Sequence, residues 1–216
     1  MPLHIQLFNT NVNMKSYKFI FFVFTVCFTT CTTQQSVIEG TLSSDRYNNE
    51  VVYWVPFKDA SSETVDSGRI KKNTFRISIS DHNLNKMGIV RVKPLLRLGL
   101  QDILVFAESG TVHVHLDSVS RATGTPLNEK LQYWKDRKRT YDVDLYALRR
   151  KLRTADADDQ PSIKIEMENV SKEYHNDIFQ IVVENKDNEL GKFLYSLHKG
   201  RFTPEQIEVL NNYHLE

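Results

Sequence analysis

The sequence predicts a β-rich α+β fold: an antiparallel β-sandwich followed by an antiparallel helical hairpin and short C-terminal helices. Three observations predict it. From Ser36 to about Thr123, apolar residues recur at every second position or in short runs broken by polar punctuation, which is strand patterning. After Gly124 the apolar period lengthens to that of a helix. Two long apolar stripes separated by a polar break then read as two paired helices rather than one.

The strands follow in order. VIEGTL (Val37–Leu42) is the first, and SSDRYNNE (Ser43–Glu50) has the residue types of a turn. VVYWVPF (Val51–Phe57) is rich in β-branched and aromatic residues. ETVDSGRI (Glu63–Ile70) and TFRISIS (Thr74–Ser80) flank a tight turn at KKN, where Asn73 tolerates positive φ. Phe75, Ile77 and Ile79 alternate with Arg76, Ser78 and Ser80, giving one dry face and one wet face. MGIVRVKP (Met87–Pro94) and QDILVFAE (Gln101–Glu108) follow, then a hairpin turn at Ser109-Gly110, then TVHVHLD (Thr111–Asp117). About seven short strands at this spacing fit a sandwich or flattened barrel.

Thr125-Pro126 is an N-cap residue followed by proline at the first helical position. Leu127, Leu131, Trp134, Tyr141, Leu145, Leu148 and Leu152 then fall at alternating spacings of four and three, with Lys138 the gap. TADADDQP (Thr154–Pro161) ends that stripe. A second runs through Ile163, Met167, Val170, Tyr174 and, after a polar slip at Asp177, Ile181. The basic run Arg149-Arg150-Lys151 reads as a solvated face near a helix C-terminus. Leu190–Leu197 is a short third helix, and Thr203-Pro204-Glu205-Gln206 starts a fourth with the pattern of a capping box.

A net charge of +1 with 25% charged residues gives no field for nucleic acid, so that partner class is excluded from the expectation. The informative N-terminal feature is a cationic and apolar run. Lys15 and Lys18 precede Phe19–Phe28, about ten mostly apolar residues, the length of a signal-peptide core and far short of the roughly 20 that span a bilayer. Residues 1–13 carry no Lys or Arg, so translation is expected to start at Met14. The two cysteines, Cys27 and Cys31, lie at the end of this run. Phe28-Thr29-Thr30-Cys31 resembles the lipobox of bacterial lipoproteins, in which the leader is cut before a cysteine that is then acylated. The lipobox has Leu at its first position and Gly or Ala before the cysteine. Thr30 is small enough for that place, whereas Val26, before Cys27, is bulkier.

The resemblance implies a lipid attachment site at Cys31, with residues 1–30 as leader, 31–36 as tether, 37–124 as sandwich and 125–216 as helices. The competing reading is a plain secretory signal with Cys31 left free. Acylation leaves no thiol for a disulfide, a cysteine–zinc site or a nucleophile. It also implies a protein anchored to a membrane rather than spanning it. Surface-exported lipoproteins of some Gram-negative bacteria carry acidic residues after the cysteine; with the uncharged Thr32-Thr33-Gln34-Gln35 here, the resemblance implies instead the periplasmic face of the outer membrane of such a bacterium.

Candidate chemistry is sparse. His113 and His115 leave the same face of one strand about 7 Å apart, a start for a metal site that still needs a third ligand such as Asp117. The expectation is two solvent-facing histidines and no metal. Asp66, Glu108 and Asp117 fall near strand ends, where acids serve turns; Asp66-Ser67 suits a local side-chain to backbone bond. Tyr53, Trp54 and Phe57 fit a core better than a ligand platform. The chain has no phosphate-binding glycine loop, nucleophile elbow or zincin motif. No catalytic residue and no cofactor are expected, and the ligand is unspecified.

Several short motifs, in this order, resemble an uncharacterised β-sandwich domain, domain of unknown function 4369. They are Ile38-Glu39-Gly40-Thr41, Val65-Asp66-Ser67, Asn73-Thr74-Phe75, Phe106-Ala107-Glu108-Ser109-Gly110 and Thr123-Gly124-Thr125-Pro126-Leu127-Asn128. The likeness spans about Ser36–Asn128; the family often has Gly where Asn73 stands. The domain precedes thioredoxin-like domains in Bacteroidetes lipoproteins, and Asn188-Glu189-Leu190-Gly191 and Thr203-Pro204-Glu205-Gln206 resemble the segment before such a domain. No Cys-x-x-Cys pair is present, so the thioredoxin-like residues carry over to no position here. The resemblance implies an envelope lipoprotein; with no catalytic motif in the chain, the expectation is a lipid-anchored, non-catalytic binding or scaffolding module with the membrane and an envelope protein as partners. The alternative is an accessory to, or truncated form of, a thiol–disulfide oxidoreductase.

Overall fold

The structure, a computed structural model, describes residues 35–93 and 99–212. Two four-stranded sheets face one another. The first holds, in spatial order, β4 (Thr74–Ser78), β1 (Ser36–Leu42), β7 (Gly110–Leu116) and β8 (Arg121–Thr123). The second holds β3 (Asp66–Arg69), β2 (Val51–Pro56), β5 (Met87–Val92) and β6 (Ile103–Phe106). The period-two residues do what their polarity demands. Ile38, Ile77 and Val112 of one sheet meet Trp54, Val90 and Val105 of the other, all fully buried. Trp54 lies flat over Gly88, where an added Cβ would come within 2.2 Å of the indole.

Four local features differ from the sequence expectation. β1 pairs with β4 antiparallel but with β7 in parallel, from Ser36↔Gly110 to Leu42↔Leu116. The Ser109-Gly110 turn joins no hairpin, because β6 and β7 belong to different sheets; the Gly110 N–H donates to the Gln35 carbonyl at 2.9 Å instead. The first three residues of the Glu63–Ile70 strand are lost. Thr64 closes a turn there by accepting from the Ser61 N–H at 2.8 Å. The short β8 carries too few residues to show a period.

At the KKN turn both central residues, Lys72 (φ 50°) and Asn73 (φ 61°), are left-handed, the requirement of a type I′ turn. Lys71 and Thr74 exchange both backbone bonds across it. The strands on either side then part into separate sheets.

Four helices follow: α1 (Pro126–Thr154), α2 (Gln160–Glu184), α3 (Glu189–His198) and α4 (Pro204–Asn211). α1 and α2 run antiparallel, since Lys130 meets Asn185, Tyr141 meets Tyr174 and Lys151 meets Glu166 along their lengths. The polar slip at Asp177 is an ion pair with Arg137, and Ile178 takes the core position beside it. The Asn188 side chain accepts from the N–H groups of Leu190 and Gly191, and Thr203 and Gln206 form the expected capping box. α3 sits so close to the end of α2 that a Cβ on Gly191 would fall 2.1 Å from the Asn185 carbonyl oxygen.

The helices build a second core on the outside of β6. Phe106 is fully buried among Leu131, Ile178, Leu190 and Leu194, with Leu104 packed on the same cluster. α1 also covers one edge of each sheet, β6 and β8. Asn128 accepts from the Phe106 N–H and donates to the Phe106 carbonyl, each at 2.9 Å, so one amide completes the edge of β6. One turn on, Gln132 accepts from the Ala122 N–H at 3.0 Å and closes the edge of β8. Edges left open would be templates for aggregation.

Candidate functional site

The structure gives the three acidic candidates separate tasks. Glu108 reaches across from the loop after β6 and accepts from the N–H groups of Leu127 (2.9 Å) and Asn128 (3.2 Å). A carboxylate there answers the unpaired donors and positive dipole of the helix end. Thr125 holds the N-cap position but does not cap with its side chain; its hydroxyl donates to Glu108. Asp66 makes no local bond of the expected kind. It accepts from the Ser80 N–H and hydroxyl and from the amide of the fully buried Asn83, tying β3 to the turn after β4. Asp117 accepts from the next N–H, that of Ser118, at 2.7 Å, and this bond holds its carboxyl below the usual range.

His113 and His115 do leave one face, the outer face of the β4–β1–β7–β8 sheet. Both ring nitrogens of His115 are engaged by hydroxyls, Thr41 at 2.8 Å and Ser43 at 3.1 Å. Among the described residues no three His, Cys, Asp or Glu side chains gather as a metal site. Around the histidines lies a shallow basin of about 680 Å³ floored by Glu39 and edged by Arg69, Lys71 and Arg121. Its charges are largely answered: Arg76 by Glu39, Arg121 by Asp136, and Arg69 by the Asn49 carbonyl. The aromatic candidates scatter. Trp54 is core, Tyr53 is exposed, and Phe57 stands edge-on to Phe193 of α3 at 5.8 Å. Cys31 lies outside the described residues.

A more structured site lies between α1, α2 and the end of α3. It is an open groove of about 540 Å³. Its floor is the parallel stack of Tyr141 on Tyr174, centroids 4.2 Å apart, flanked by His175 and His198 in edge contact with Tyr174. Tyr174 is 3% exposed and burial pushes its phenol up to about 12. His198 is 9% exposed and its Nε2 has no hydrogen-bond partner. Burial, then the charges of His175 and Lys138, lower it to about 4. His175 Nδ1 lies 2.7 Å from the Ser171 carbonyl oxygen, a bond that fixes the ring. Leu145, Leu152, Met167 and Leu197 supply apolar walls, and Arg149, Lys164 and Arg201 a cationic rim.

The sequence placed Tyr141 and Tyr174 on stripes but gave no sign of the groove. His175 and His198 fall on no pattern, and only the register of the hairpin brings them beside the tyrosines.

The class is therefore a β-sandwich in which α1 closes one edge of each sheet, with an aromatic, cation-rimmed groove on the helical hairpin. Residues 36–131 match the family model described as Domain of unknown function (DUF4369). The match takes in all eight described strands and the start of α1, including Glu108 and Asn128. Searches of curated proteins and of solved structures found no match.

The motifs that carry the resemblance turn out to be contact pairs. Gly40 and Thr41 lie opposite Phe75 and Thr74 in the β1–β4 register. Glu108 and Phe106 meet Leu127 and Asn128 at the joint between sandwich and helix. Asn188 and Thr203 are helix caps. These residues have structural tasks.

Proposed function

We propose that the protein is a lipid-anchored component of the cell envelope, a non-catalytic binding or scaffolding module held at the periplasmic face of the outer membrane through acylated Cys31. The observation that carries this reading is the order Lys15, Lys18, apolar Phe19–Phe28 and Cys31, a short distance before β1 begins at Ser36. The folded part adds support of two kinds. The acids Asp66, Glu108 and Asp117 are each committed to hydrogen bonds that hold turns or a helix end. The groove on the hairpin has the size and mixed lining of a small-ligand site, for which about 300–1,000 Å³ is usual. Among the described residues no helix is long and apolar enough to cross a membrane.

The test is growth with a radioactive fatty acid. The protein takes up label, and Cys31→Ser does not; a labelled Cys31→Ser protein would refute the anchor. Pull-down of the acylated protein from envelope membranes addresses the partner. Recovery of a thioredoxin-like oxidoreductase would favour the second role, accessory to thiol–disulfide exchange. The two tail motifs that suggested that role are capping signals, which serve a helix with any neighbour.

A further inference from the structure

The groove between α1 and α2 is charged on one side of the balance. Arg149, Lys164 and Arg201 line it, and among the described residues none of them has an ion-pair or hydrogen-bond partner. The fourth cation, Lys138, is answered by Asp142 at 2.5 Å. A single carboxylate, Glu168, joins the lining. Unpaired cations beside low-dielectric walls concentrate anions. Beneath them the surface changes character: Leu145, Met167 and Leu197 offer apolar contact, and the Tyr141–Tyr174 stack offers a flat aromatic edge. At the base, His198 Nε2 is buried with no partner of its own.

We propose that this groove binds a small amphiphilic anion, its carboxylate, phosphate or sulfonate head held by Arg149, Lys164 and Arg201 and its apolar body laid along Leu145, Met167 and the tyrosine stack. The inference rests on the reading of the protein as a binding module and gives that module its ligand class. An acidic head on a greasy body is the chemistry that satisfies rim and wall together; a neutral apolar molecule would leave the three cations as they are, and an inorganic anion would leave the walls wet.

The test is equilibrium dialysis of the full chain, in uncharged detergent micelles, against 2-naphthalenesulfonate, with empty micelles as blank and uncharged 2-naphthylmethanol as the matched probe. Saturable binding near one per chain is expected, at least tenfold tighter for the sulfonate than for the alcohol. The double variant Arg149→Glu, Lys164→Glu should weaken sulfonate binding tenfold or more with an unchanged circular dichroism spectrum, while Arg150→Glu leaves it as it was. If the double variant does not fold, Arg201→Glu alone decides in the same way. Displacement by glycerol phosphate would name a lipid headgroup as the natural source, and displacement by octanoate a free organic acid. No saturable binding, equal binding of the two probes, or an affinity untouched by reversing the rim charges would each overturn the proposal. Failure of the module reading itself would show in the pull-down, which this titration does not use.

Discussion

Asn128 joins the two halves of the molecule. Its amide replaces a missing strand for Phe106, accepting from the N–H and donating to the carbonyl, and it is fully buried. Asn128→Leu keeps the volume and strands both backbone groups. The expected cost is about 2–4 kcal/mol, read as a lower urea midpoint at unchanged slope. Asn128 was visible in the sequence as part of a motif, but its partner was not, since an edge is defined by topology. His198 gives a second residue-scale prediction. In the unfolded chain it takes up a proton near pH 6.5, in the folded chain only near 4. The folded form with neutral His198 therefore has its full stability above about pH 6.5 and loses it as pH falls toward 4. The loss is on the order of 2–3 kcal/mol. His198→Gln should flatten the stability difference between pH 7 and pH 4.5 by about that amount; a parallel profile would show that the ring is already solvated.

Elements differ in how far they were legible. The long helices were readable because many turns repeat one period, and the slips at Lys138 and Asp177 left that period intact. The capping box at Thr203 was readable because capping is a contact between near neighbours; the cap at Asn188, which the structure shows, was not read as one. The parallel β1–β7 pairing was not, since nothing local records which strand lies beside which after the chain has crossed between sheets several times. The groove was hidden for the same reason: it exists only once α1 and α2 settle into register. The turn at Lys72-Asn73 was half read. Asn73 was expected to be left-handed, but Lys72 is left-handed too. A lysine pays for that conformation where an asparagine pays less, so Lys72→Asn should stabilise the protein by about 0.5 kcal/mol. No gain in thermal midpoint would mean that the left-handed conformation at residue 72 carries no strain.

At the scale of the molecule, sandwich and hairpin share too much to unfold apart. Phe106 belongs to β6 yet lies in the helical core, while Asn128 and Gln132 belong to α1 yet finish the two sheets. Denaturation followed by tryptophan fluorescence and by far-ultraviolet circular dichroism should give one coincident transition. Trp54 reports the sandwich and Trp134 the helices, so two separated transitions would mean that the halves are independent. The proposed anchor would hold this folded part near the membrane, its Cys31 thiol consumed by acylation. The most direct measurement of that claim is the intact mass of the protein purified from its native membranes. The account predicts a chain beginning at Cys31 and carrying acyl groups. A mass showing the leader retained, or an unmodified Cys31, would contradict it.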